Sequence, residues 1–264
     1  MLGAIRASEC TKLASVNRVT ETSSLGEKAA TARLATLRHI AGVVSIGAGL
    51  LVLAALITQI NDQISVGRFE PEQYFSYFIT QAAMINVVVL IVGGIMALAR
   101  ERDTRFYTAF RASTFSYALA VAIAYTLFLR DMPDDDGYIG PVWTNDLLHV
   151  WIAIYITLDW LLTPGRARIG FSTIWLAISI PLIWVGFTIA RGMYTGWFRY
   201  PLLDPDGPNG ITGVVTSAAT LVAPILILTI VAVIINRVQT HGVRGVSNGR
   251  RKTGAIPVVR ADLR

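Results

Sequence analysis

The chain has 264 residues, of which 53% are hydrophobic and only 15% are charged, and its mean hydropathy is +0.55. This composition is too apolar for a soluble domain with polar loops. The net charge of +6 is spread over several separate segments and does not form one basic patch, which argues against a nucleic-acid-binding protein.

Six apolar stretches follow one another along the chain, each long enough to cross a hydrocarbon core of about 30 Å as a helix. They lie near residues 40–60, 75–98, 113–129, 146–163, 172–190 and 213–235. These long runs differ from the short alternating segments of a β-barrel, and a helix satisfies its own backbone hydrogen bonds in lipid. The sequence therefore predicts an all-α fold, a polytopic bundle of six transmembrane helices.

Basic and acidic connections alternate between these stretches. Arginines and lysines dominate the segment before the first stretch, the second and fourth connections and the segment after the sixth stretch, whereas acidic residues dominate the other connections. The positive-inside rule therefore places both termini in the cytoplasm of a multi-pass cell-membrane protein. We expect a polar cytoplasmic tail over residues 1–37, the bundle over residues 38–237 and a basic, disordered cytoplasmic tail over residues 238–264.

The second stretch carries two hydroxyl side chains near its outer end. Ser76 and Thr80 are four residues apart and would share one face of a helix. At a rise of 1.5 Å per residue, Thr80 lies roughly 30 Å and Ser76 roughly 36 Å above Arg100, whereas His149 lies roughly 26 Å above Arg166. Depth therefore favours Thr80 as the partner of His149, although such hydroxyls commonly bond to their own i−4 carbonyl instead.

His149 is the only histidine inside a predicted span, about one turn from the outer end of the fourth. A titratable ring at this depth needs a partner or water. Asn145 and Asp146 precede it by four and three residues, on the same helical face, and either could orient the imidazole. The alternatives are a histidine that acts as a general base and one that is satisfied as a structural residue.

The connection after the fifth stretch is dense in polar and aromatic residues. Arg191 lies on the predicted outer face, against the positive-inside trend. Pairing with an acidic residue or an anionic ligand therefore competes with simple snorkelling towards water. The candidates for substrate binding are Asp146, Arg191, Trp197 and Tyr200. Interfacial anchoring is the alternative role for Trp197 and Tyr200.

Two segments of the chain resemble a known family. Residues 143–149 fit a W-x-N-x-x-x-H pattern, and residues 195–204 look like the segment T-G-x-W-x-Y-P-x-L-[DE], with one residue shifted before the Tyr-Pro pair. Both are marks of the androgen-induced-protein-like (FAR-type) family of six-span membrane proteins and its bacterial relatives. The resemblance covers residues 38–237. Animal members are described as intramembrane threonine hydrolases that cleave fatty acid esters of hydroxy fatty acids, with a threonine on an early span and a histidine on a later one.

The resemblance places the family's histidine on His149 and leaves its nucleophile open between Ser76 and Thr80. Bacterial relatives typically read F-S-Y-F-T-x-Q-S-N, whereas residues 75–83 of this chain read F-S-Y-F-I-T-Q-A-A. The threonine is displaced by one position and the S-N pair is missing. Aligning the animal L-T-F motif on residues 75–77 selects Ser76, whereas depth in the helix selects Thr80.

The leading interpretation is a membrane-embedded serine/threonine-type hydrolase of lipid esters. Ser76 or Thr80 would be the nucleophile, and His149 the general base and then acid. Asn145 or Asp146 would orient the imidazole. The alternative is a non-enzymatic membrane protein, either a small-molecule transporter or a lipid-binding or structural module.

The expected partners are membrane lipids, with a hydrophobic ester as the substrate of an enzyme. No metal or other cofactor is expected. His149 has no second His, Cys or Glu at ligand spacing, and Cys10 is the only cysteine of the chain.

Overall fold

The structure, a computed structural model, describes residues 2–130, 140–198, 200 and 203–253, and side chains only within residues 24–240. Its helices are α1 (Leu2–Ser65), α2 (Pro71–Tyr74), α3 (Phe78–Ala99), α4 (Arg105–Ala124), α5 (Val142–Asp146), α6 (Ile152–Leu162), α7 (Thr173–Thr195) and α8 (Gly210–Thr253). Two π-helical segments, Tyr125–Leu129 after α4 and Leu147–Trp151 between α5 and α6, extend two of them into longer helical runs. The all-α prediction is confirmed for the described residues.

Among the residues that the structure describes, four helices are long and apolar enough to cross a membrane, with mean hydropathies between 1.9 and 2.8. They are Ser24–Ser65, Phe78–Ala99, Thr173–Thr195 and Gly210–Thr240. These helices correspond to the first, second, fifth and sixth predicted spans, although the second begins at Phe78 and not near residue 75. The third and fourth predicted spans lie in the helical runs that contain π segments, and the count of six spans stays a prediction.

Some helix boundaries differ from those of the apolar stretches. α4 begins well before residue 113, because the Thr104 hydroxyl caps it by accepting from the backbone N–H of Tyr107 at 3.2 Å. α1 and α8 continue into the segments expected as tails, so part of the C-terminal segment expected to be disordered is helical. The acidic segment 131–136 of the third connection lies outside the described residues.

α1 and α3 pack against each other along a seam of small residues. A Cβ placed on Gly94 would lie 2.5 Å from the carbonyl oxygen of Gly42, and one placed on Gly49 would lie 3.3 Å from that of Val87. The later residue of α1, Gly49, thus meets the earlier residue of α3, Val87, so the two helices are antiparallel. Glycines allow this close approach of two backbones, as they do between membrane helices.

α4 lies at the centre of the bundle and contacts α3, α6, α7 and α8. Its segment 111–118 is buried throughout. One core cluster is centred on α1, α3, α4 and α6, and a second joins α3, α4, α7 and α8. α4 therefore contributes to both halves of the core.

Successive connections gather at two opposite ends of the bundle. At what we call the basic end, Arg38 of α1 donates to the carbonyl oxygens of Arg100 at 2.8 Å and Pro164 at 2.9 Å, which fastens the α3–α4 and α6–α7 connections to α1. At what we call the distal end, α2 and the beginnings of α3 and α5 lie near the end of α7. The described residues among those predicted on the outer face lie at the distal end.

Candidate functional site

His149 lies in the π segment Leu147–Trp151 at the distal end and is 7% exposed. Its Nδ1 lies 2.6 Å from the backbone carbonyl oxygen of Asn145. Because a carbonyl oxygen only accepts, Nδ1 carries the proton, and in the neutral ring Nε2 keeps its lone pair. The ring stacks on Tyr125, with centroids 4.4 Å apart and planes inclined by 17°.

Both partners of this stack lie in π segments. Tyr125 opens the first segment, where its carbonyl oxygen accepts from the backbone N–H of Arg130 at 2.9 Å, and His149 lies in the middle of the second. The i→i+5 bonding of a π segment inserts one residue into the turn, and such insertions are frequent at functional sites. The two insertions face each other across the stacked rings.

A chain of hydrogen bonds runs from α2 to α5 beside His149. The Tyr74 hydroxyl donates to Gln59 Oε1 at 3.1 Å, and Gln59 Nε2 donates to Asn145 Oδ1 at 2.6 Å. Burial raises the pKa of Tyr74 to about 12, so its phenol stays protonated and remains a donor. Asn145 therefore orients His149 through its backbone carbonyl, while its side chain is engaged by Gln59.

Ser76 lies in a different setting from the predicted one. α3 begins at Phe78, so Ser76 belongs to the turn between α2 and α3, and the prediction that it shares a helical face with Thr80 is wrong. Its hydroxyl donates to the carbonyl oxygen of Glu72 and accepts from the guanidinium of Arg191. Both bonds hold Ser76 in the turn.

Thr80 lies in the first turn of α3 and is 9% exposed. The usual acceptor for its hydroxyl would be the carbonyl oxygen of Ser76, four residues earlier. That oxygen instead accepts from Trp184 Nε1 at 2.8 Å. Among the described residues, the Thr80 hydroxyl has no hydrogen-bond partner.

The predicted substrate-binding residues Arg191, Trp197 and Tyr200 lie around the end of α7. The Arg191 guanidinium lies over the Trp197 ring, 4.7 Å from its centroid. The Tyr200 ring meets Trp184 edge-on, with centroids 5.9 Å apart. Arg191 forms no ion pair in the described part of the chain.

Asp146, the fourth predicted substrate-binding residue, has a separate partner. Its carboxylate lies 3.3 Å from the guanidinium of Arg130. Among the described residues, it makes no hydrogen bond to His149. Hydrogen bonds join two pairs of predicted site residues: Asn145 with His149, and Ser76 with Arg191. The pairs lie at the same end of the bundle, and no hydrogen bond connects them among the described residues.

The most densely charged interior lies at the basic end, where the sequence patterns did not point. The buried carboxylate of Asp103 lies 2.5 Å from Arg38 and 2.8 Å from Arg111. Arg111 also pairs with Asp159 of α6. Asp159 is a titratable side chain inside the fourth predicted span. His149 was singled out for the same reason, so the sequence could have pointed to Asp159 as well.

A cavity of about 20 Å³ lies beside this ionic network and is lined by Arg111 and Asp159. Asn86 Oδ1 and Trp160 Nε1 also face this region, and neither buried atom has a hydrogen-bond partner in the described chain. The cavity has room for one water molecule, which could accept from the indole and donate to the amide oxygen. Arg166 lies 4.5 Å over the Trp160 ring.

Comparisons with protein-family models, with curated proteins and with solved structures give no match. The resemblance to the androgen-induced-protein-like family therefore stays a prediction that two segments of the sequence carry. Arg199, Pro201 and Leu202 of the second segment lie outside the described residues.

Proposed function

We propose that this chain is a six-span hydrolase of lipid acyl esters in the cell membrane, with both termini in the cytoplasm and the distal end outside. The observation that carries the proposal is the environment of His149. The ring is buried, stacked on Tyr125 and held by a carbonyl oxygen on Nδ1, which leaves Nε2 as a lone-pair acceptor. An imidazole fixed in this tautomer suits a general base.

Thr80 is the nucleophile that this geometry favours. Ser76 already donates its proton to the Glu72 carbonyl, whereas the Thr80 hydroxyl is uncommitted. Met84 and Val87 share the Thr80 face of α3, and both pack against the core cluster that contains Leu148. Leu148 directly precedes His149, so this shared core cluster is what supports the pairing of Thr80 with His149.

The reaction follows from these roles. The Thr80 Oγ1 attacks the ester carbonyl as His149 Nε2 takes its proton, and the imidazolium then gives that proton to the departing alcohol. His149 Nε2 next takes a proton from a water molecule, whose oxygen attacks the acyl-threonine, and the imidazolium returns that proton to Thr80 Oγ1 as the fatty acid leaves. The backbone carbonyl of Asn145 holds the ring in one tautomer during both steps.

Labelling with a fluorophosphonate tests the proposed nucleophile. The purified protein should be labelled, and peptide mass spectrometry should find the adduct on Thr80. Thr80→Ala and His149→Ala should remove the label, whereas Ser76→Ala should keep it. His39→Ala is the matched control, because His39 is exposed and follows Arg38 at the basic end of the bundle. An adduct on Ser76 would reassign the nucleophile, and unchanged labelling in all variants would refute a catalytic role for His149.

A second candidate function is transport of a small molecule, which the polar interior at the basic end favours. Asp159, Arg111 and the small cavity beside Asn86 lie between helices, where ionisable groups of transporters are commonly found. Flux into proteoliposomes that is lost in Asn86→Leu, together with no fluorophosphonate labelling, would select this candidate over the hydrolase.

A further inference from the structure

An open cleft of about 440 Å³ lies at the distal end, between the α1–α2 connection and the end of α7. Its volume falls within the range of small-molecule sites. A guanidinium, two carboxylates and an indole surround it, contributed by Arg191, Glu70, Glu72 and Trp197. The cleft is therefore lined by side chains of both positive and negative charge.

Arg191 is arranged to receive an anion. One of its N–H groups donates to Ser76, and its plane rests over Trp197. No carboxylate neutralises it within the described residues, and its other N–H groups have no acceptor there. Because the guanidinium is half-buried and held on one side, its remaining N–H groups point in a fixed direction, which suits binding of a phosphate group.

The carboxylates of the cleft favour a cation in the same ligand. Glu70 accepts from Gln73, and in the described part of the chain Glu72 has no cationic partner. Neither carboxylate is ion-paired with Arg191. They would repel a ligand that is only anionic and attract an ammonium group, so the cleft suits a molecule that carries both charges.

Apolar surface continues from the cleft along α7. Phe187 and Ile183 precede Arg191 by four and eight residues along adjoining turns of the helix, and they are 50% and 71% exposed. Acyl chains that hang from a headgroup in the cleft would cover these side chains. A small soluble zwitterion would leave them uncovered, which favours a lipid.

We propose that the cleft binds the zwitterionic headgroup of a phospholipid, with the phosphate at Arg191 and the ammonium group at Glu70 and Glu72. This inference deepens the proposed function by naming a class of lipid. It rests on that function only for placing the distal end at a membrane surface.

Native mass spectrometry of the detergent-purified full chain tests the assignment with three probes. Phosphatidylethanolamine carries both charges, phosphatidylglycerol carries the phosphate alone, and glycerophosphoethanolamine carries both charges without acyl chains. We expect wild type to bind phosphatidylethanolamine more tightly than either other probe. Arg191→Gln should weaken phosphatidylethanolamine binding by about ten- to hundredfold. The double variant Glu70→Gln/Glu72→Gln should remove the preference over phosphatidylglycerol.

The matched controls replace an arginine and a glutamate at the basic end by glutamine, as the test variants do in the cleft. Arg105→Gln and Glu101→Gln change exposed residues there and should bind all three probes as wild type does. If Arg191→Gln fails to fold, Arg191→Lys keeps the charge without the donor fork and should bind with intermediate affinity.

Three results would overturn the inference: equal binding of both phospholipids by wild type, unchanged binding in a folded Arg191→Gln, or tailless glycerophosphoethanolamine bound as tightly as the lipid. The last would assign the cleft to a soluble zwitterion. Lipid bound with the expected preference but never hydrolysed would refute the hydrolase and support the headgroup site. Hydrolysis without a headgroup preference would refute this inference alone.

Discussion

Asp103→Asn removes the one negative charge that joins two buried arginines at the basic end. The Asp103 side chain is fully buried, and its two oxygens lie 2.5 Å from Arg38 and 2.8 Å from Arg111. Arg111 retains Asp159 in the variant. Arg38 retains only backbone carbonyl acceptors, so its charge is the one left without a counter-ion.

Removing one partner of a buried ion pair costs about 3–5 kcal/mol, because the remaining charge stays desolvated. We expect Asp103→Asn to lower the free energy of unfolding by this amount in a denaturant titration in detergent, followed by circular dichroism. Asp206→Asn, at an exposed distal position, is the matched control and should stay within about 0.5 kcal/mol of wild type.

A double-mutant cycle tests the reasoning further. Asp103→Asn combined with Arg38→Gln should cost less than the sum of the two single variants, because the second substitution removes the uncompensated charge. Stability of Asp103→Asn equal to that of Asp206→Asn would refute the view that this carboxylate compensates the arginines. Strict additivity in the cycle would refute direct coupling to Arg38.

Two further predictions concern topology and packing. A membrane-impermeant maleimide should label Cys10 only after cells are permeabilised, whereas Asp206→Cys in a Cys10→Ser background should be labelled in intact cells; the reverse pattern would invert the topology. Gly94→Ala should destabilise the protein by about 1–3 kcal/mol in the same titration, because the added Cβ would lie 2.5 Å from the Gly42 carbonyl oxygen. Gly47→Ala, with no atom within 4 Å of the new Cβ, should be neutral or stabilising by up to about 1 kcal/mol, and equal effects would contradict the close α1–α3 seam.

The helical fold was largely predictable, because an uninterrupted apolar run of span length has few alternatives in lipid. The beginning of α4 was not predictable. In the sequence, Arg111 looks like a charge that marks the edge of the membrane, whereas in the structure it lies inside the bundle, paired with Asp103 and Asp159. The π segments were not predictable either. Their i→i+5 bonds insert a residue without changing the apolar pattern that reveals a helix.

The site was predictable in part. His149 stands out because a titratable side chain inside a span is rare. Its contact with Asn145 follows from their spacing of four residues. The backbone carbonyl oxygen of Asn145 forms this hydrogen bond, however, and the side chain does not. The bond from Arg191 to Ser76 joins residues 115 positions apart, so no local pattern could predict it. Asp159 could have been found by the reasoning that found His149.

Turnover of a long-chain acyl ester by the purified protein in lipid nanodiscs tests the central claim most directly. Wild type and His39→Ala should release fatty acid at the same rate. His149→Ala should be slower by about two to four orders of magnitude, the usual loss on removing a general base, while its circular dichroism spectrum shows that the helical fold is retained. Equal rates in a folded His149→Ala, or no hydrolysis by wild type, would contradict the claim that His149 serves a membrane-embedded hydrolase.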